Sequence, residues 1–153
     1  MKVSRVLELL TAWDADYRAG IVPAIDGPFH KDLFNTYRSY LYPAHFPVLP
    51  TLHEDPRGRL FEAVKVRSGG QSFLSSTVPG ARRGGHYHRR KFERFVVVEG
   101  RARIRVRRLL TDHLEVFDLD GDRPAYVDMP TLHTHDLENI GTKPLVTLFW
   151  ADE

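Results

Sequence analysis

The chain of 153 residues contains no cysteine. Disulfide bonds are therefore excluded, and any metal site has to use nitrogen and oxygen ligands. No apolar run approaches the roughly 20 residues of a membrane-spanning helix. The apolar run nearest the N-terminus, VLELL, is interrupted by Glu8. The sequence therefore predicts no membrane span, no signal peptide and a cytoplasmic location.

Nucleic-acid-binding patterns are also missing: there is no helix-turn-helix, zinc-finger or RNP motif, and no GxGxxG dinucleotide motif. The net charge of +2 nevertheless conceals a basic segment, since half of the 22 lysines and arginines fall between Arg82 and Arg108. This segment is either a solvated arginine-rich face or a binding surface for an anion, because arginine forks match phosphate oxygens in pairs. Nucleic acid is not expected as a partner.

The pattern of apolar residues along the chain changes near residue 50. Helical spacing of apolar residues predicts helices over 4–18 and 31–40, and the proline-rich stretch YPAHFPVLP then predicts an extended connector. From about Arg59 onward, short runs such as RFVVVEG and LVTLFWA alternate with turn sequences, which is typical of an antiparallel sandwich or barrel. We therefore expect a helical and extended arm over 1–50 and a β-domain over 51–153.

Two segments of the β-domain allow finer predictions. In LDGDRP, Asp120-Gly121 predicts a hairpin turn with positive φ. In ARIRVR, strict alternation predicts an apolar core face and a charged outer face. The other possibility is that the arginines point into a cavity, so Arg83, Arg103 and Arg105 are kept as candidate phosphate ligands.

Two histidines one residue apart, His86 and His88, project to the same side of an extended segment and can chelate one ion. Glu93 follows at the start of a predicted strand, where its carboxylate can join them. These residues lie in the pattern G-x5-H-x-H-x4-E-x6-G, which runs from Gly80 to Gly100. A second pattern, P-x4-H-x3-N, runs from Pro130 through His135 to Asn139.

Together the two patterns resemble the paired motifs of the cupin superfamily. The resemblance implies an antiparallel double-stranded β-helix, the jelly-roll barrel of cupins, in which His86, His88, Glu93 and His135 bind one divalent metal. One departure concerns local backbone shape, since Leu132 occupies a position that is usually glycine. A cupin whose ligand positions bind no metal is the alternative.

The resemblance extends to the C-terminal cupin half of the CapF/WbjC capsular polysaccharide enzymes. It is carried by GGHYH, by the closing FWADE and by IVPAIDGPFHKDLFNTYRSYLY in the arm. It implies a zinc site, with iron, manganese or nickel as alternatives, and epimerisation at C3 of a UDP-linked 4-keto-6-deoxyhexose. It also implies a homodimer and an NAD(P)-dependent reductase, whose sequence is absent from this chain; a separate reductase is therefore expected, unless the chain is a fragment.

The implied reaction needs a base, because the C4 ketone acidifies the C3 proton and an enolate forms on its removal. The candidates are His133, Lys91 and Tyr87. A purely structural zinc is one alternative. A metal-free dTDP-4-keto-6-deoxyhexose 3,4-ketoisomerase, an iron-dependent dioxygenase and a non-catalytic sugar-binding cupin are the others.

Overall fold

The computed structural model describes residues 2–152, which divide into two compact units. The first unit comprises the residues up to Pro50 together with Val64–Gly70, and the second comprises Thr51–Ala63 and the residues from Gln71 onward. The helices and strands are α1 (Val3–Arg18), β1 (Ile21–Val22), α2 (Gly27–Leu41), β2 (His53–Asp55), β3 (Gly58–Val66), β4 (Gln71–Thr77), β5 (Arg82–His86), β6 (Glu93–Glu99), β7 (Arg101–Arg108), β8 (Leu114–Asp120), β9 (Ala125–Met129), β10 (His133–Asn139) and β11 (Leu145–Ala151).

The first unit is built on the two predicted helices. Trp13 of α1 and Phe34 of α2 are buried, and their rings meet edge to face with centroids 5.7 Å apart. Helix α2 begins four residues earlier than predicted, because Pro28 in its first turn suits a helix start. Strand β1 pairs in parallel with the end of β3, and this pairing accounts for the grouping of Val64–Gly70 with the helices.

The second unit consists of two facing sheets, which confirms the predicted all-β antiparallel class. The larger sheet has the order β3-β4-β11-β6-β9, with β2 on the outer side of β3, and the smaller has the order β5-β10-β7-β8. The core lies between them and includes Val97 from the larger sheet and Ile104 and Leu137 from the smaller, all fully buried.

Strand β7 shows the predicted alternation. Ala102, Ile104 and Val106 are buried, whereas Arg103 and Arg105 lie on the opposite face of the strand. Because β7 is an inner strand of its sheet, its apolar face forms a large part of the core. The interpretation of ARIRVR as a core strand with a charged outer face is confirmed.

The prediction of a hairpin at LDGDRP is wrong. Strand β8 pairs with β7 in the smaller sheet, whereas β9 pairs with β6 in the larger, so the segment crosses between sheets. Gly121 does not adopt positive φ. A glycine is needed there for another reason: an added Cβ would lie only 2.5 Å from the Cα of Glu99.

Neither helix in the part of the chain that the structure describes has the length and apolar character needed to span a membrane.

Candidate metal centre

The four residues of the two motifs converge in the second unit. His86 ends β5, His88 lies in the following loop, Glu93 begins β6 and His135 lies in β10. One ligand atom from each side chain falls within 4.8 Å of every other. The cluster is graded in burial, from the exposed His86 to His135, which is only 2% exposed. It is therefore accessible from the side of His86.

The pairing of β5 with β10 brings the two motifs together. His86 and His135 are directly opposite in the register, and the register shifts immediately beyond them, between His135 and Asp136. Gly84 and Gly85 both adopt positive φ. A Cβ on Gly84 would lie 2.7 Å from the carbonyl oxygen of His135, so only glycine permits this close approach. The double glycine of GGHYH thus sets the position of both histidines.

Glu93 enters from the larger sheet. Its Oε2 lies 3.1 Å from Nε2 of His88 and 3.1 Å from Nε2 of His135. Burial by itself favours the protonated carboxyl, but the close contact with His135 and the basic groups of His88 and Lys91 nearby together lower the pKa of Glu93. The side chain is therefore held as a carboxylate, the form that binds metal.

The surroundings of His86 favour its neutral imidazole, the form that binds metal. Burial lowers the pKa of His86, and the neighbouring His135 and His88 lower it further. The Nδ1 of His135 lies 3.4 Å from the carbonyl oxygen of His133, which favours a proton on Nδ1. Nε2 then carries the lone pair that can bind a metal. Neutral imidazoles with an available lone pair are metal ligands.

Two ring nitrogens of the cluster approach the same carboxylate oxygen, Oε2 of Glu93, at 3.1 Å each. Within residues 2–152, Nε2 of His88 and Nε2 of His135 are buried and make no hydrogen bond. Buried polar atoms are normally satisfied, so two orphaned nitrogens beside one carboxylate oxygen fit a bound cation. The set of three nitrogens and one oxygen can hold a divalent metal ion and suits zinc or a first-row transition metal.

An apolar floor closes the site from the core side. The ring of Phe95 meets the ring of His135 edge to face at 5.4 Å and that of Phe149 at 4.5 Å. These rings shield the ligands from water on that side and limit how far His135 can turn. The arrangement strengthens charge interactions inside the site.

The three candidate bases differ in their surroundings. His133 begins β10 two residues before His135, so both project to the same face of the strand, and its Nδ1 lies 2.8 Å from the carbonyl oxygen of Thr131. The charge of Lys91 lowers the pKa values of both His86 and Glu93. Tyr87 is 39% exposed. All three lie within four residues of a ligand in sequence, and the choice of base among them stays a prediction.

The three candidate phosphate ligands also separate. Arg103 binds Asp118 with two bonds of 2.7 Å, and Arg105 binds Asp136 and Glu138, all on the outer face of the smaller sheet. Arg83 instead shares the inner face of its sheet, because it is in register with the buried Leu137. Its Nε donates to Thr77 at 3.1 Å, while its buried Nη2 makes no hydrogen bond within residues 2–152.

Two further features belong to the site: the backbone at Leu132, where the sequence analysis noted a departure from glycine, and the position of Arg108, which it did not single out. Leu132 adopts the left-handed conformation, with φ of 59°, so the turn keeps the shape that glycine usually provides. Its N–H donates to the carbonyl oxygen of His88 at 2.8 Å and joins the two motifs. Arg108 continues the inner face of β7 beyond Val106 and lies opposite His133. The alternation of ARIRVRR contained this second signal.

Comparison with known proteins places these features in context. Residues 53–153 match the family model described as the polysaccharide biosynthesis C-terminal domain. A UDP-2-acetamido-2,6-beta-L-arabino-hexul-4-ose reductase of Pseudomonas aeruginosa is 37% identical over 123 residues, which cover 80% of this chain and 33% of the relative. The chain thus spans about a third of the length of this curated relative.

Solved structures extend the similarity. The capsular polysaccharide assembling protein CapF from Staphylococcus aureus matches with a TM-score of 0.91 and 33% identity, over 100% of this chain and 45% of that one. A CapF structure with the inhibitor 3-isopropenyl-tropolone matches with 0.90 and 33%, over 100% and 44%. The cupin domain of Schizosaccharomyces pombe Cnp3 matches with 0.55 and 14%, over 67% of each chain, and shares the fold alone.

Proposed function

We propose that this chain, which belongs to the family of polysaccharide biosynthesis C-terminal domains, is a metal-dependent nucleotide-sugar epimerase or isomerase. It has the cupin fold and the CapF resemblance that its motifs predicted. The substrate we propose is a UDP-linked 4-keto-6-deoxyhexose, epimerised at C3. The observation that carries the proposal is the convergence of three imidazoles and one carboxylate within 4.8 Å, with two orphaned nitrogens each 3.1 Å from the same carboxylate oxygen. The relatives' roles in a UDP-hexulose reaction and in capsule assembly support the substrate class.

The metal we propose is zinc, held by His86, His88, Glu93 and His135. When bound, a divalent cation supplies Lewis-acid polarisation of a ketone oxygen, which is worth several kcal/mol in such reactions.

The chain's own residues supply the proton chemistry. Epimerisation requires a base within about 3 Å of the C3 proton. We favour His133, because the 2.8 Å contact of its Nδ1 with the carbonyl oxygen of Thr131 orients the ring and leaves Nε2 available to the substrate. Lys91 is the second candidate, and its charge also favours an anion beside the cluster. Tyr87 remains the third.

The test is solvent exchange. The protein is incubated with the UDP-linked 4-keto-6-deoxyhexose in D2O, with and without a chelator, and the sugar is read by mass spectrometry and NMR. We expect incorporation of one deuterium at C3. Incorporation should stop when the metal is removed and resume when zinc is added. The His133→Gln variant should lose exchange but keep its metal, whereas His113→Gln, altered at an exposed histidine of a loop, should behave as wild type.

Other outcomes identify the alternatives. Label that persists after complete metal removal would favour a metal-free ketoisomerase or a structural ion. Tight sugar-nucleotide binding without label at C3 or C5 would favour a non-catalytic sugar-binding cupin. Oxygen consumption by the iron-loaded protein would favour a dioxygenase.

The predicted partners belong to the same proposal. An epimerised product still carries its C4 ketone, so we propose that a separate NAD(P)-dependent reductase consumes it. The homodimer and the division into residues 1–50 and 51–153 stay predictions. Light scattering on the purified chain measures the oligomeric state, and limited proteolysis near residue 50 tests the domain division.

A further inference from the structure

The eleven basic residues between Arg82 and Arg108 fall into two groups. Six of them lie within 3.8 Å of a carboxylate: Arg82, Arg83, Arg94, Arg101, Arg103 and Arg105. The other five, which we call the basic rim, make no ion pair with any residue that the structure describes. They are Arg89, Arg90, Lys91, Arg107 and Arg108.

The basic rim lies at the metal end of the second unit. Arg89 and Arg90 directly follow the ligand His88, whose carbonyl oxygen accepts the N–H of Leu132 at 2.8 Å. The carbonyl oxygen of Leu132 in turn accepts the N–H of Leu109 at 3.0 Å. The segments that carry the rim residues are therefore tied together beside the ligands.

Arg108 faces the same side of its sheet as the ligand His135. Val106 is in register with His135, and Arg108 is in register with His133, two residues further towards the end of β7. Side chains two residues apart on a strand share a face. The guanidinium of Arg108 is therefore presented at the opening of the site, whereas Arg103 and Arg105 project from the outer face.

We propose that the phosphate groups of the sugar-nucleotide are bound by Arg89, Arg90 and Arg108 of the basic rim, rather than by Arg103 and Arg105. A phosphate at Arg103 would have to displace a bidentate carboxylate, whereas the rim guanidiniums are free to pair with it. The inference rests on the proposed function for its choice of ligand.

Exposed rings beside the rim suit the remainder of a nucleotide. Tyr87 and Phe92, which bound the loop containing Arg89 and Arg90, are 39% and 37% exposed. Aromatic rings stack on nucleobases without selecting among them. A uridine diphosphate held by the rim can therefore place its base on one of these rings and its sugar toward the ligands.

The test is binding of UDP to the zinc-loaded protein by calorimetry, with uridine as the neutral probe. We expect wild type to bind UDP more tightly than uridine, with an affinity that falls as salt rises. The Arg89→Gln/Arg90→Gln double variant and Arg108→Gln should each raise the Kd for UDP about tenfold or more, since each loses a charge-assisted hydrogen bond. Arg103→Gln, which removes the same charge from the same strand as Arg108, should leave the Kd unchanged.

The inference is overturned if the rim variants bind UDP like wild type, if Arg103→Gln weakens binding as much as they do, or if wild type does not bind UDP. Metal content and melting temperature equal to wild type show that the rim variants are folded. Solvent exchange in D2O separates the two proposals: exchange by wild type with unchanged UDP affinity in the rim variants refutes only this inference.

Discussion

Two buried imidazole nitrogens without a hydrogen-bond partner lie 3.1 Å from one carboxylate oxygen, and this local imbalance is the strongest chemical signal in the chain. Leaving a buried polar atom unpaired costs about 1–3 kcal/mol. A cation that accepts both lone pairs removes this cost. The signal belongs to His88 and His135, which the sequence motifs had singled out.

The first prediction concerns metal content. His88→Gln should lower the zinc bound per chain well below the wild-type value after dialysis against trace zinc, because loss of one of four ligands weakens a tetrahedral site sharply. Metal per chain is measured by mass spectrometry. His113→Gln is the matched control, since its side chain is 68% exposed and pairs with Glu115 on the surface. Equal zinc in both variants would remove His88 from the ligand set.

A second prediction follows from the left-handed Leu132. This conformation costs a leucine about 1 kcal/mol relative to glycine, and the side chain is 51% exposed, so little packing is lost on its removal. Leu132→Gly should therefore raise the free energy of unfolding by about 0.5 kcal/mol, after the entropy of the more flexible unfolded chain is subtracted. Urea unfolding measures it. The control Leu114→Gly, at an ordinary strand position that is 41% exposed, should lower the free energy of unfolding.

At the scale of elements, strand β5 shows how a short polar segment is made into a precise support. It has no apolar run, and two of its five residues are glycines with positive φ. Its register with β10 places His86 opposite His135. The strand is thus specified by its partner rather than by its own propensity.

The third prediction separates backbone strain from close approach. Gly84 and Gly85 both have positive φ, but an added Cβ meets the His135 carbonyl only from Gly84, and nothing lies within 4 Å of Gly85. Gly85→Ala should cost about 1 kcal/mol of unfolding free energy. Gly84→Ala should cost about 2 kcal/mol or more and also reduce zinc binding, because β10 has to shift. Equal costs measured by urea unfolding would contradict the need for close approach.

The same contrast explains what could be predicted from the sequence. Helix α1 and strand β7 carry strong apolar periodicity, and both were predicted. Strands β5 and β10 carry none, since RRGGH and HTHDLEN are polar, and only the ligand motifs indicated them. The pairing of β9 with β6 was not predicted. A turn sequence such as LDGDRP indicates a local change of chain direction, but it does not indicate which sheet the next strand joins.

The helix pair of the first unit provides a fourth prediction. The hydroxyl of Tyr37 donates to Asp14 at 2.7 Å, and burial together with this bond raises the pKa of Tyr37 to about 12. The folded unit therefore favours the neutral phenol, so this stabilisation is complete below pH 10 and is lost as pH rises from 10 to about 12. The bond with Tyr37 also lowers the pKa of Asp14, so the stabilisation from the carboxylate is lost only in acid, as pH falls below 3.8.

Urea unfolding of wild type and Tyr37→Phe at a series of pH values measures the stabilisation by the Tyr37 phenol. The wild type should be the more stable of the two below pH 10, and the difference should shrink as the phenol ionises. Tyrosinate absorbance should show one late-ionising group that the variant lacks. The control Tyr40→Phe, at a side chain that is 85% exposed, should leave the stability unchanged and should retain the late-ionising group, although it has one tyrosine fewer.

At the scale of the whole molecule, the candidate metal centre takes its ligands from both sheets of the second unit. His86 and His135 belong to the smaller sheet, and Glu93 belongs to the larger. A cation held by all three cross-links the two sheets, and its ligands span about fifty residues of sequence. Because the unfolded chain does not hold these ligands together, metal binding adds directly to folding stability.

The fifth prediction is therefore a metal-dependent melting temperature. Zinc at about 1,000 times its Kd should add about 4 kcal/mol of stability, and a chain of this size gains about 2–4 °C per kcal/mol. Calorimetry of the zinc-loaded protein should show a transition about 10 °C above that of the chelated protein. His135→Asn should melt at one temperature with or without zinc, whereas Arg103→Gln should retain the full shift because its side chain lies outside the barrel. A zinc-induced shift that survives in His135→Asn would place the ion elsewhere in the chain and leave the convergent histidines to act as acid-base groups.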